Sequence, residues 1–274
     1  MRILVTNDDG IDSVGLHVLA REMTRHGDVV VVAPDREFSG ASAAVGALHL
    51  LQPEVHRAHV EGVPEVWTVN GPPALCVLFA RLGVFDGPFD LVVSGINPGA
   101  NVGRAVYHSG TIGAVLTGRL GGISGVAVSQ AVNGFGVEGQ GWDDMVKGQI
   151  WSTAAEVASA VVSGLIADPP AEAVAVNVNV PNLPLEQITR WRRTSVGNRI
   201  PRSMAAATLE PKEGHEGAFH VRMQYGDPIQ LPVETDGGAV EAGEVSITYL
   251  SKLEGVDVGP ATSAERSLAA FLSR

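Results

Sequence analysis

Two adjacent carboxylates, Asp8 and Asp9, follow directly after a short apolar run at residues 2–6. Side by side on a turn they repel each other, and this repulsion raises a pKa unless a cation lies between them. Carboxylate oxygens are the ligands that hard ions such as Mg²⁺ and Mn²⁺ prefer. The pair therefore predicts a divalent-metal site. The alternative is that one acid caps the following helix and the other is solvated.

Hydroxyl and amide side chains stand in two further polar loops. Ser39 lies in PDREFSGAS, and Asn97 and Asn101 lie four residues apart in SGINPGAN. A serine hydroxyl can ligate a metal, cap a helix or bond to its own turn. An asparagine carbonyl oxygen is an acceptable ligand for a hard metal, and asparagine is also a common turn former. Each loop alone leaves both interpretations open.

A small triplet, Ser109-Gly110-Thr111, opens an apolar helical run at 110–120. A helix start of this kind presents unsatisfied backbone N–H groups and the positive end of the helix dipole, which favour a phosphate. The alternative is a simple N-cap by Ser109. GxxxxGKS/T does not occur in the chain, and the one GxGxxG stretch, at 134–139, falls before the helical pattern that begins at 143 and does not open it, so a P-loop or dinucleotide site lacks its defining features.

Composition restricts the class of partner. The 274-residue chain has 30 acidic and 19 basic side chains and a formal charge of −11, which disfavours attraction to nucleic acid duplexes and anionic lipid. Cys76 is the only cysteine, so an intrachain disulfide is impossible. The N-terminal MRILVTNDDG has no signal-peptide core, and no apolar run approaches the roughly 20 residues of a membrane span. We expect a cytoplasmic protein without a membrane partner.

Strand and helix patterns alternate as far as residue 180. The patterns are typical of strands at 2–6, 28–33, 66–70, 90–94, 124–129 and 173–180, and of helices at 14–26, 73–84, 110–120 and 143–166. Apolar strands without alternation, separated by helices, indicate an α/β fold with a parallel sheet covered on both faces. Ligands bind such sheets beyond the carboxyl ends of the strands, where these polar loops fall.

The pattern changes from about Leu185. Residues 185–243 contain strand-like, basic and aromatic stretches, which predict an antiparallel extension of the α/β core at 1–184 and 244–274. Within this arm, two interpretations are open for the segment around Trp191, Arg192, Arg193 and Arg199: contact with a nucleotide or polyphosphate, or a subunit contact. The subunit contact is preferred, because an exposed tryptophan needs a partner to cover it. An oligomer is therefore expected.

Together these stretches resemble the stationary-phase survival protein SurE family of metal-dependent nucleotidases. The resemblance is carried by NDDGIDSVG at 7–15, APDREFSGAS at 33–42, SGINPGANVG at 94–103 and HSGTIGA at 108–114. NVNVPN at 177–182 and TDGGAVEAGEVSITYL at 235–250 extend it over most of the chain. It implies a Rossmann-like, mostly parallel sheet with helices on both faces, plus an extended C-terminal antiparallel hairpin.

The resemblance also implies roles for individual residues. Asp8, Asp9, Ser39 and Asn97 match the ligands of one divalent ion per subunit, Mg²⁺ or Mn²⁺. Asn101 matches a residue beside the phosphate, and Ser109, Gly110 and Thr111 match the phosphate-binding helix start. The catalytic residues would be Asp8, Asp9 and Asn101, and the reaction would be hydrolysis of nucleoside 5′- and 3′-monophosphates. The resemblance also implies a homodimer or homotetramer.

Several positions depart from the family pattern. Pro72 and Leu75 stand where threonine and aspartate are common, Arg104 stands where an acid is common, and His108 replaces a tyrosine. We expect these changes at the rim of the site, where they affect substrate preference. His108 is either the general acid or an aromatic replacement packed against the loop.

Other functions are weighed against this interpretation. A zinc-dependent N-deacetylase needs a histidine before the paired aspartates, and here Thr6-Asn7 precedes them. A haloacid-dehalogenase-type phosphatase needs Asp-x-Asp, which Asp8-Asp9-Gly10 does not supply. The remaining alternative is a non-catalytic nucleotide- or metal-binding regulatory protein on the same fold.

Overall fold

The structure, a computed structural model, describes residues 1–48, 50, 52–132, 146–200, 204–257, 259–260 and 262–273. The strands in these ranges are β1 (Arg2–Thr6), β2 (Asp28–Pro34), β3 (Val55–Arg57), β4 (Glu65–Val69), β5 (Leu91–Pro98), β6 (Ser124–Gln130), β7 (Ala175–Val180), β8 (Trp191–Arg193), β9 (Met204–Pro211), β10 (Phe219–Tyr225) and β11 (Val245–Leu250). The α-helices are α1 (Val14–Met23), α2 (Pro73–Arg81), α3 (Gly110–Leu120), α4 (Trp151–Ala167), α5 (Asp236–Glu241) and α6 (Ser263–Leu272). Short 3-10 helices span Gly103–Tyr107 and Leu185–Gln187.

A nine-stranded sheet has the order β3–β4–β2–β1–β5–β6–β7–β11–β8. Its pairs are parallel from β4 to β7, whereas β3 and β11 run antiparallel to β4 and β7. Parallel pairing requires crossovers, and α1 to α4 provide them. The predicted mostly parallel α/β sheet is confirmed.

Helices cover both faces of this sheet, as predicted. On one face Ile3 and Val5 of β1 belong to a core cluster with Leu16 of α1 and Ala158 of α4. On the other face Leu4 of β1 belongs to a second cluster with side chains from α2 and α3. Successive residues of β1 thus enter opposite core layers, which explains why Ile3, Leu4 and Val5 are all apolar.

Three helices differ in extent from their predictions, and one of them, the predicted helix at 73–84, ends at Arg81. The predicted helix at 14–26 ends at Met23, and Arg25 and His26 make turn hydrogen bonds to Glu22 and Met23 instead. The predicted helix at 143–166 begins at Trp151, and residues 143–145 of that range lie outside the described residues. In the part of the chain that the structure describes, no helix combines the length and the apolar character that crossing a membrane requires.

The C-terminal part contains the predicted antiparallel extension. Strands β9 and β10 form a separate two-stranded antiparallel sheet whose residues are all exposed. Only part of residues 188–200 is a strand, because β8 pairs parallel to β11 in the main sheet and beyond it Ser195 makes only an isolated bridge to Thr235. The first hairpin strand comes later, in MAAATLEP, which has few β-branched or aromatic residues to reveal it.

Candidate metal and phosphate site

Asp8 lies just past the end of β1, and its side chain is only 3% exposed. Its Oδ1 accepts a hydrogen bond from the Thr111 hydroxyl at 2.5 Å, and its Oδ2 accepts one from the Gly110 N–H at 3.1 Å. The N-terminus of α3 favours a negative charge at this position. Burial nevertheless raises the pKa of Asp8, and the hydrogen bonds from Thr111 and Gly110 oppose that shift. The first turn of α3 therefore orients a buried carboxylate.

This contact bears on the predicted phosphate-binding triplet. Ser109 is the N-cap of α3, and its Oγ accepts a hydrogen bond from the Ile112 N–H at 3.2 Å. Gly110 and Thr111 donate to Asp8. The N-cap and the anion-binding interpretations thus both apply, and the anion at this helix start is the Asp8 carboxylate. Phosphate binding by the three residues stays a prediction.

Two glycines allow the surrounding segments to approach closely. A Cβ on Gly110 would lie 2.7 Å from Asp8 Cβ and 2.8 Å from Asp8 Oδ2. A Cβ on Gly113, one helical turn later, would lie 2.1 Å from the Ser42 carbonyl oxygen. Atoms do not approach this closely, so only glycine permits α3 to contact both the β1 loop and the loop that contains Ser39.

Asp9 has the chemistry of a metal ligand. Its Oδ2 is buried and has no hydrogen-bond partner among the described residues. Burial, then the charge of Asp8, then that of Glu37, raise the pKa of Asp9 to about 8. A buried carboxylate oxygen without a donor is unfavourable unless a proton or a cation satisfies it. The geometry thus fits a cation beside Asp9.

The loops with the other predicted ligands are linked to the same region. The Phe38 N–H donates to the Asp8 carbonyl at 2.7 Å, which places the loop of Ser39 against the β1 loop. The Ser42 N–H donates to the His108 carbonyl at 3.1 Å and joins that loop to the segment before α3.

Asn97 comes from the neighbouring strand. Strands β1 and β5 pair side by side, with Thr6 opposite Ser94, and the register against β6 shifts between Ser94 and Asn97. Such bulges re-aim side chains at sheet ends. Asn97 Nδ2 donates to the Gly99 carbonyl at 2.6 Å, which leaves Oδ1 as the atom of this amide available to a metal.

Asn101 has an unusually complete set of contacts. Its N–H donates to Asn179 Oδ1 at 2.7 Å, and its carbonyl accepts from Asn177 Nδ2 at 2.9 Å and from Asn179 Nδ2 at 3.2 Å. Its own Nδ2 donates to Ser129 Oγ at 2.9 Å. None of the sequence motifs predicted a role for these three partners. The alternation of valine and asparagine in β7 was the available signal, because buried amides need hydrogen-bond partners.

Asp236, a further residue without a predicted role, joins three segments. Its buried carboxylate accepts backbone hydrogen bonds from Gly103 at 2.9 Å, Gly197 at 3.0 Å and Gly237 at 2.9 Å. Burial raises the pKa of Asp236, and these hydrogen bonds oppose the shift. The 3-10 helix that leads to Ser109 is thereby attached to the segment that follows β8. An acid among glycines, in TDGG, is the only sequence signal for this role.

The departures from the family pattern occupy different environments. Arg104 and His108 are exposed on the segment before α3, so His108 is not packed against the loop. Leu75 is 1% exposed and belongs to the core cluster between the sheet and α2. The expectation that it lies at the rim of the site is therefore wrong. A leucine is favoured here because its neighbours are apolar core residues.

The fold and the site define an α/β protein with acidic and amide oxygens at the carboxyl ends of parallel strands, beside a helix N-terminus. The family model "Survival protein SurE" matches residues 3–203. The chain belongs to the SurE family.

Individual relatives agree with this assignment. The chain is 35% identical over 250 residues to "5'/3'-nucleotidase SurE" of Erwinia tasmaniensis, covering 91% of this chain and 90% of that protein. It is 37% identical over 249 residues to "5'-nucleotidase SurE" of Nitrosococcus oceani, covering 90% of each. The structure of the SurE protein from Aquifex aeolicus covers 100% of both chains with a TM-score of 0.73 at 27% identity.

Proposed function

We propose that this chain is a metal-dependent phosphatase that hydrolyses nucleoside 5′- and 3′-monophosphates to nucleoside and phosphate. The observation that carries the proposal is the Asp8–Asp9 pair at the end of β1, with one buried carboxylate oxygen unpartnered. Relatives that are named nucleotidases, at 35% and 37% identity over nine-tenths of the chain, support the substrate class.

One divalent ion per subunit, Mg²⁺ or Mn²⁺, would be held by Asp8, Asp9, Ser39 and Asn97. The described residues place no three His, Cys, Asp or Glu side chains where they could hold a metal together. The donor set that the family resemblance implies is two carboxylates, a hydroxyl and an amide oxygen, which suits hard ions. When bound, the ion supplies Lewis acidity toward a phosphoryl oxygen and lowers the pKa of bound water.

The protein's own groups orient the substrate. An asparagine side chain has two N–H donors, and Asn101 uses one of them on Ser129, so the other is available to a phosphate oxygen. Ser109 Oγ accepts from Ile112, which leaves its hydroxyl proton free to donate. Fixed donors of this kind stabilise charge as it redistributes in phosphoryl transfer. His108, exposed beside them, is the candidate that protonates the leaving ribose oxygen.

Phosphate release from a panel of 5′- and 3′-nucleoside monophosphates, with EDTA, Mg²⁺ or Mn²⁺ present, tests this function. We expect release that requires metal and disappears in Asp8→Asn. Folded protein that binds Mn²⁺ and a nucleotide but releases no phosphate with any metal would instead support the regulatory alternative. The panel also ranks the bases and the two phosphate positions.

We further propose a homodimer or homotetramer, with residues 185–243 as the assembly arm and residues 1–184 and 244–274 as the core. Trp191 on the edge strand β8 is 67% exposed, and Leu209, Phe219 and Val221 on the hairpin are exposed as well. Apolar surface of this extent is normally covered by a partner. Light scattering at micromolar concentration is expected to give a multiple of the chain mass, and a monomer would contradict the proposal.

Cytoplasmic location is part of the same proposal. Cys76 is the only cysteine of the chain, so it has no second cysteine to pair with. It is a buried free thiol whose pKa is raised by burial, so its reactivity is low. A chain without disulfides suits a reducing compartment.

A further inference from the structure

Strand β7 has a composition that its position in the sheet does not explain. It is fully buried, and a central parallel strand normally has apolar side chains on both faces. Val176, Val178 and Val180 follow this rule in the core layer of α1 and α4. Asn177 and Asn179 lie on the opposite face, where each is 0% exposed. Burying two amides is unfavourable unless they have specific partners.

Both amides have the same partner, the backbone of Asn101. Asn179 accepts from its N–H at 2.7 Å and donates to its carbonyl at 3.2 Å, and Asn177 donates to that carbonyl at 2.9 Å. A side-chain amide has the groups of a peptide bond, so Asn179 pairs with Asn101 as a neighbouring strand would. Such pairing is needed here because the ladder between β5 and β6 ends at Pro98 and Gln130.

The side chain of Asn101 is fixed from the same face of the sheet. Ser129 Oγ on β6 accepts from Asn101 Nδ2 at 2.9 Å. Contacts from β6 and β7 therefore determine both where the Asn101 backbone lies and how its amide is rotated. Asn101 is itself 9% exposed, which leaves its amide a limited opening to solvent.

We infer that Asn177 and Asn179 are positioning residues that hold Asn101 so that its free amide proton meets a phosphate oxygen of the substrate. The inference deepens the proposed function and rests on its assignment of Asn101 as a phosphate contact. The two residues act through Asn101 and touch neither metal nor substrate.

A double-mutant cycle between Asn101→Ala and Asn179→Ala tests the inference. The readout is the Kd of inorganic phosphate for the Mn²⁺-loaded protein, measured by calorimetry, together with the Kd of Mn²⁺ itself. Each single variant is expected to weaken phosphate binding about tenfold, the size of one lost buried hydrogen bond, with Mn²⁺ affinity within about twofold of wild type. Because Asn179 acts through Asn101, the double variant is expected to bind phosphate about tenfold more weakly than wild type, and not about a hundredfold more weakly.

Asn182→Ala is the matched control. Asn182 belongs to the same NVNVPN stretch and also makes a two-sided amide contact, accepting from the Ile150 N–H at 3.0 Å and donating to the Gly148 carbonyl at 3.3 Å. Its loss disturbs a different loop, so phosphate affinity is expected to change by less than about twofold. If Asn179→Ala does not fold, Asn177→Ala replaces it, with an expected loss of about threefold. This change is milder because Asn177 makes one bond to Asn101 and its Oδ1 is unpaired among the described residues.

The outcomes separate the inference from the proposed function. The positioning role is overturned if the two single effects multiply in the double variant, so that Asn101→Ala and Asn179→Ala weaken phosphate binding independently. It is also overturned if Asn101→Ala weakens phosphate binding and Asn179→Ala does not. If Asn101→Ala leaves phosphate binding unchanged, both the positioning role and the phosphate contact are overturned. A non-additive cycle in a protein that hydrolyses no nucleotide would support the positioning role while refuting the proposed activity.

Discussion

Asp9→Asn is expected to lower metal-dependent phosphatase activity by about 10³-fold or more, because it removes a negatively charged ligand of the metal ion. A metal ion that acts as a Lewis acid stabilises the transition state by several kcal/mol. The change is nearly isosteric, and Asp9 Oδ2 makes no hydrogen bond among the described residues that the amide would break. The fold should therefore persist. The measurement is kcat/KM with saturating Mn²⁺, together with Mn²⁺ affinity by calorimetry, and near-wild-type values for both would refute the ligand role.

The same variant should change the pH dependence of stability in metal-free protein. The pKa of Asp9 is about 8 in the folded state, whereas its ordinary value, which applies to the unfolded chain, is 3.8. At a pH between these two values the folded chain holds a proton on Asp9 that the unfolded chain has released. The stability that Asp9 contributes is thus fully present below about pH 4 and is lost as the pH rises toward 8, with a slope of up to about 1.4 kcal/mol per pH unit. Denaturant melts in EDTA should show a smaller slope in Asp9→Asn than in wild type, and a slope remains because the pKa values of Asp8 and Asp236 are also raised in the folded state. Asp12→Asn, which changes an exposed acid of the same loop, should keep both the slope and the activity.

Gly110→Ala is expected to reduce kcat/KM by about a hundredfold. The new methyl would lie 2.7 Å from Asp8 Cβ and 2.8 Å from Asp8 Oδ2, so the carboxylate must move away from the start of α3. Displacement of a catalytic group by about 1 Å has an effect of this size. The effect is measured from initial rates across a range of Mn²⁺ concentrations, which shows whether metal affinity falls with activity.

Gly164→Ala is the control for that substitution. Gly164 lies in α4, and a Cβ there would meet no atom within 4 Å. Alanine should stabilise the helix by up to about 1 kcal/mol and leave the activity unchanged. If Gly110→Ala retains wild-type kcat/KM while folding normally, the contact between α3 and Asp8 does not determine activity.

The local parts of this structure could be predicted from sequence. The helix at 110–120 has the predicted bounds, because an apolar run with a serine N-cap specifies a helix within a dozen residues. The apolar runs that became β1, β2 and β6 specify buried strands for the same reason. Placing the polar loops at one edge followed from the shared direction of parallel strands.

The contacts that orient the site could not be predicted in this way. Asn101 and Asn179 are 78 residues apart, and Gly103 and Asp236 are 133 apart. No local sequence pattern predicts which buried side-chain amide forms a hydrogen bond with which backbone group, since that depends on the order of the strands in the sheet. The sequence shows that Asn177 and Asn179 alternate with valine, but their common partner becomes evident only when β7 lies beside β6.

The strand order also has a consequence for the order of events during folding. Asp8 follows β1, Asn97 is in β5 and Asn179 is in β7, so these residues come from strands that the sheet brings together only after several crossovers. Pairings between distant segments form slowly because chain entropy must be lost first. Helices α1 and α3 can begin to form from local sequence alone, whereas the proposed ligands Asp8, Asp9, Ser39 and Asn97 come together only when β1, β2 and β5 have paired. We therefore expect Mn²⁺ binding to appear only after this central part of the sheet has assembled.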